Sequence, residues 1–268
     1  MHTDRDELFR NLWNDYKAVT PSAEKIHRLL ADTQGGTIVN DHIALRTFDI
    51  DKTSLDKLAA HFLALGYFEG GEYHFEGKKL YAKHFEHEDP AAPKVFISEL
   101  LVEKCSPELK AIVHGLVEQM DPEAVQADDF LYSGPHWQIN YATYKELLAE
   151  SEYAAWVAAW GFRANHFTVS VNELERFSSI EEINQVLKDE GFAVNSSGGE
   201  VKGSPDDLLE QSSTMADRVD VRFKDKIAAI PSCFYEFALR YRQPDGKLYS
   251  GFVPASADKI FESTNAGM

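Results

Sequence analysis

The chain has 268 residues, 44 % of them apolar and 12 % aromatic, enough for a full hydrophobic core and against disorder. Lys and Arg number 27 against 44 Asp and Glu, a formal net charge of −17, which argues against nucleic acid because phosphate binding needs a basic surface. The same field repels small anions, so an anionic substrate would need an arginine inside its pocket.

The N-terminus, Met1-His2-Thr3-Asp4-Arg5-Asp6-Glu7, is charged where a signal peptide would be apolar. No window approaches the roughly 18 apolar residues of a membrane span, so a soluble, cytoplasmic protein is expected. Residues 1–36 read as a helical segment. Leu8, Leu12 and Tyr16, then Ile26, Leu29 and Leu30, recur at helical spacing, with Thr20-Pro21-Ser22 between them and Gly35-Gly36 as the stop. Residues 37–48 then read as a strand, 54–65 as an amphipathic helix closed by Gly66, and 72–75, 80–85 and 95–101 as strands. His84 and His87, flanked by Glu86 and Glu88 and just before Asp89-Pro90, read as a solvated loop rather than a metal cluster. Cys105 and Cys233 have no paired spacing, which excludes a disulfide scaffold and suits a reducing compartment.

Residues 106–162 read as mainly helical, and the earlier order then returns. Strand 165–171, helix 179–189 and strands 199–202, 208–214 and 232–241 follow, with 219–223 as one more candidate. The expected class is α+β, a single catalytic domain with two diverged βαβββ modules, 37–105 and 163–268, forming a curved mixed sheet. His42 and His166 open the modules, each just after an Asp or Asn, and Glu99 and Glu236 stand in the closing strands.

Alternation along a strand puts His42, Ala44 and Arg46 on one face, likewise His166, Thr168 and Ser170, and Glu236, Ala238 and Arg240. The opposite faces are largely apolar and suit packing against helices. Two imidazoles and one carboxylate form a three-point ligand set that leaves open positions on iron(II) for a chelating substrate and dioxygen. Arg46 lies roughly 13 Å along the strand from His42 and could grip the far carboxylate of a small dicarboxylate chelated at the metal. Arg240 is a second candidate for that grip, or a partner of Glu236. Glu99 is either a fourth ligand, which would suit zinc or nickel and a glyoxalase-like isomerase or lyase, or a carboxylate outside the ligand set. A non-enzymatic small-molecule-binding protein is a third reading.

The runs Asp41-His42-Ile43-Ala44-Leu45-Arg46-Thr47-Phe48, Glu210-Gln211-Ser212-Ser213-Thr214 and Phe234-Tyr235-Glu236, with Gly251-Phe252-Val253-Pro254-Ala255-Ser256 and the residues to Phe261, resemble the 2-oxoadipate dioxygenase/decarboxylase family of the vicinal oxygen chelate superfamily. The resemblance implies Fe(II) held by His42, His166 and Glu236, and Arg46 on the distal carboxylate of the substrate. It also implies a substrate contact from Ala255 and Ser256, though Ala255 is smaller than the residue expected there. Glu99, Gln211 and Arg240 are expected to support the ligands or touch substrate. The implied reaction turns a 2-oxo acid, 2-oxoadipate, into 2-hydroxyglutarate with uptake of O2 and release of CO2.

Overall fold

The structure, a computed structural model, describes residues 1–31 and 38–265. Helix α1 (Arg5–Ala18) starts at Asp4, whose carboxylate accepts the Glu7 N–H, and it buries Leu8, Leu12 and Tyr16 at four-residue spacing. After the Pro21 break, α2 (Ala23–Leu30) buries Ile26 and Leu30. The expected Gly35-Gly36 stop and the strand start at 37 lie outside the described residues.

The first module follows as β1 (Asn40–Phe48), α3 (Leu55–Leu63), β2 (Phe68–Phe75), β3 (Leu80–Glu86) and β4 (Lys94–Leu100). Strand β2 begins four residues earlier than its sequence suggests, because Gly70 and Gly71 are part of the sheet rather than a turn. They leave room for a ring: a Cβ on Gly70 would lie 2.3 Å from Nε2 of His84. His84 is thus buried on β3, bonded to Tyr73 and Glu86, and the solvated-loop expectation is corrected for His84, while His87 and Glu88 lie in the loop after β3.

Helices α4 (Pro107–Glu118), α5 (Tyr141–Glu150) and α6 (Glu152–Trp160) separate the modules. The second comprises β5 (Ala164–Ser170), α7 (Ile180–Asp189), β6 (Lys202–Ser204) and β7 (Leu209–Ser213), an inserted hairpin of β8 (Arg218–Arg222) and β9 (Ile227–Pro231), and β10 (Phe234–Arg240). Helix α8 (Pro254–Ile260) and a 3-10 turn over Phe261–Thr264 follow.

Eight strands form one curled mixed sheet in the order β2-β3-β4-β1-β5-β10-β7-β6. Within each half the opening and closing strands are parallel neighbours, β1 with β4 and β5 with β10. The halves meet through the antiparallel β1–β5 pair. Each half is therefore a βαβββ unit, and an approximate two-fold axis passes near Ile43 and Phe167. On one face, Ile43, Leu45, Phe167, Tyr235 and Phe237 are almost wholly buried. Tyr16 and Trp13 of α1 pack there, with ring centroids 5.0 Å from Phe167. Each such large side chain contributes roughly 1.5–3 kcal/mol through burial. That face fixes the sheet's register and so fixes what its other face presents.

Candidate metal centre

On the other face, His42 pairs across the β1–β5 ladder with Thr168, and His166 with Ala44, so the two histidines are diagonal neighbours. Glu236 stands beside Thr168 on β10. One ligand atom from each of His42, His166 and Glu236 lies within 4.8 Å of the others, and all three residues are buried. Nε2 of His166 is 3.0 Å from one Glu236 oxygen, and Nε2 of His42 is 3.5 Å from the other.

Both rings are held from behind. Nδ1 of His42 donates to Asp41 Oδ1 at 2.7 Å, since a carboxylate only accepts, and Nε2 faces the cluster with the Thr168 hydroxyl 3.1 Å away. Nδ1 of His166 makes the matching bond to Asn165 Oδ1 at 3.0 Å. Burial pushes the His166 pKa down, only partly offset by Glu236. Burial alone would raise the Glu236 carboxyl, but the two imidazoles and a 2.6 Å hydrogen bond from Gln211 Nε2 draw it below its ordinary value. Both directions favour the ligating forms, neutral imidazole and ionised carboxylate. Two nitrogens and a carboxylate suit a borderline divalent transition metal.

Arg240 does not partner Glu236, nor is it free to grip a substrate. It forms a two-point ion pair with Asp41, at 2.6 and 2.9 Å, and its remaining nitrogen donates to the carbonyls of Tyr249 and Gly251. The role of Asp41 went unread in the sequence, although the acceptor residue before each histidine was its signal. Beside Arg240, Phe252 sets its ring edge-on to His42 with centroids 4.8 Å apart, and Phe234 stacks on His166 at 4.6 Å. These aromatic rings, also unanticipated, give the cluster apolar walls.

Glu99 is not with the ligands. Its β4 register pairs it with Thr47, which puts it on the helix-facing side, where it accepts the Leu55 N–H at the start of α3. The residue matching Glu236 by register is Phe96, which pairs with Ala44 as Glu236 pairs with Thr168. Phe96 lines the cavity beside the cluster. The four-ligand arrangement considered for zinc or nickel is thereby lost.

The cavity beside the cluster measures only ≈ 20 Å³ and is lined by His42, Phe96, His166, Gln211, Glu236, Phe252, Ala257, Ile260 and Phe261. That is room for about one water. Gln211 thus stands both behind Glu236 and at the cavity wall, where its Oε1 lacks a partner among the described residues. Ala255 is exposed and Ser256 is buried next to Gly203, so the structure does not bring either to the cavity. From α8 and the turn after it, Ala257, Ile260 and Phe261 face inward instead.

Arg46 is buried on the ligand-bearing face, its guanidinium carbon 5.1 Å from the ring centres of Tyr153 and Trp156 and 5.5 Å from that of Phe261. Nη1 donates to Thr264 Oγ1, while Nε and Nη2 have no partner among the described residues. It borders a separate cavity of ≈ 250 Å³ with Lys78, Lys79, Glu152 and Phe261.

The model of the family described as 2-oxoadipate dioxygenase/decarboxylase matches residues 8–247. The chain belongs to the 2-oxoadipate dioxygenase/decarboxylase family. A rice (Oryza sativa subsp. japonica) relative named 2-oxoadipate dioxygenase/decarboxylase, chloroplastic/amyloplastic, is 36 % identical over 97 % of this chain and 79 % of its own length. The solved structure of rice hydroxyglutarate synthase in complex with 2-oxoadipate superposes with a TM-score of 0.89 at 35 % identity, covering 97 % of this chain and 92 % of that one. A solved Shewanella frigidimarina NCIMB 400 protein, whose name calls it a hydrolase, is 63 % identical with a TM-score of 0.91, covering 95 % of this chain and all of its own. Membership of this family makes the chain an enzyme, of the oxidoreductase kind. Among the described residues, no helix is long and apolar enough to cross a membrane.

Proposed function

We propose that the protein is an iron(II)-dependent dioxygenase/decarboxylase acting on a 2-oxo dicarboxylate, 2-oxoadipate, to give 2-hydroxyglutarate. The observation that carries this reading is the buried convergence of His42, His166 and Glu236, with both Nδ1 protons engaged behind the rings. Three protein donors on one side leave positions for the carboxylate and ketone oxygens of a 2-oxo acid and for dioxygen. An iron(II) ion held there would supply the redox chemistry.

The chain's own residues do the rest. Asp41 and Asn165 fix the ring orientations, Gln211 holds Glu236, and Phe96, Phe234 and Phe252 exclude water. Arg46, buried and carrying two unpartnered nitrogens, suits the far carboxylate, and its fork can bind one at two points. The atoms balance without a second reductant: 2-oxoadipate plus O2 equals 2-hydroxyglutarate plus CO2. The relatives' names and the rice complex with 2-oxoadipate support the same substrate.

The test is oxygen consumption by anaerobically iron-loaded protein given 2-oxoadipate. One O2 taken up per 2-hydroxyglutarate formed is expected, and Arg46→Ala should raise KM at least tenfold. Iron-bound protein that consumes no oxygen with this substrate would contradict the reading.

A further inference from the structure

The metal cluster and Arg46 belong to one face of β1, four residues apart, yet they border two different cavities. One side chain among those described lines both and also packs on the guanidinium: Phe261. We propose that Phe261 is a specificity-determining partition that must swing aside for a substrate to span from the metal to Arg46, and so selects 2-oxo acids with a carboxylate at the far end. This rests on the function proposed above and says how that site chooses its substrate.

Phe261 is half-buried at the start of the 3-10 turn, edge-on to Phe75 with centroids 5.3 Å apart. Three residues on, Thr264 holds Arg46 through its hydroxyl. The turn thus places an aromatic ring and one hydroxyl where the far half of a substrate would lie. A cavity of ≈ 20 Å³ at the cluster holds about one water, not a six-carbon acid. Moving the ring joins it to the ≈ 250 Å³ space beside Arg46. Displacing Phe261 removes a cation–π contact from a buried cation, while Thr264 can keep its bond to Nη1. A ligand carboxylate restores more than it removes by filling the two unpartnered nitrogens with charge-assisted bonds. A methyl-terminated chain of equal length restores nothing.

The experiment compares 2-oxoadipate with 2-oxohexanoate, which has the same chain length but no second carboxylate. Dissociation constants are measured by calorimetry on anaerobic iron(II)-loaded protein, alongside kcat/KM from oxygen uptake. In Phe261→Ala the preference for 2-oxoadipate should fall at least tenfold by both readouts, with Phe261→Leu falling between it and the native chain. Should Phe261→Ala fold poorly, the Leu variant decides. Native protein that binds 2-oxoadipate, with a preference unchanged in the variants, overturns the partition and leaves the function standing. Native protein that binds neither acid overturns both.

Discussion

Asp41 and Asn165 occupy the same place behind His42 and His166, one charged and one neutral. The carboxylate holds both the His42 ring and the buried Arg240 guanidinium, whose pull keeps the Asp41 carboxyl far below its ordinary value although burial alone would raise it. Asp41→Asn would keep an acceptor for the ring but turn an amide N–H toward Arg240. Iron(II) affinity, measured by chelator competition, is expected to fall about 10–100-fold. Urea unfolding is expected to show a loss of roughly 3–5 kcal/mol, because a buried cation is left unpaired. Affinity within twofold of the native protein would show that Asp41 does not act through the ring.

Strand β4 shows what a sequence discloses about an element and what it withholds. Alternation identified the faces of β1, β5 and β10, because each buries a nearly continuous apolar set on one side, and this brought His42, His166 and Glu236 to one surface. It could not set the register between the halves. The loops differ in length and the β8–β9 hairpin interrupts only the second half, so Glu99 looked equivalent to Glu236 when Phe96 occupies that place. The slip is three residues, an odd number, and an odd slip turns a side chain to the opposite face. Strand β9 escaped notice because Ile227-Ala228-Ala229-Ile230-Pro231 is alanine-rich and ends in proline. The Phe261 partition was invisible for a different reason: α8 and the turn after it fold back onto strands from both modules, a tertiary contact with no local pattern. Because Glu99 serves α3 and not the cluster, Glu99→Ala should leave iron content unchanged while lowering stability by about 1 kcal/mol. Loss of bound iron in that variant would return Glu99 to the ligand set.

Across the whole molecule, the site is assembled from segments remote in sequence. Two opening strands meet at the approximate two-fold axis, a closing strand supplies the carboxylate, and residues 252–264 close the cavity from the other side. Symmetry brings the two histidines together, and departure from symmetry, Phe96 opposite Glu236, leaves three candidate ligands instead of four. The net charge of −17 makes the buried, partly unpartnered Arg46 the feature that would reconcile an acidic protein with the doubly anionic substrate proposed for it. All of this depends on one ion at one place. The most direct measurement is anomalous scattering at the iron absorption edge from crystals of the iron(II)-loaded protein. The expected result is a single peak about 2 Å from Nε2 of His42, Nε2 of His166 and a Glu236 oxygen. An iron peak elsewhere, or none among these three side chains, would contradict the account.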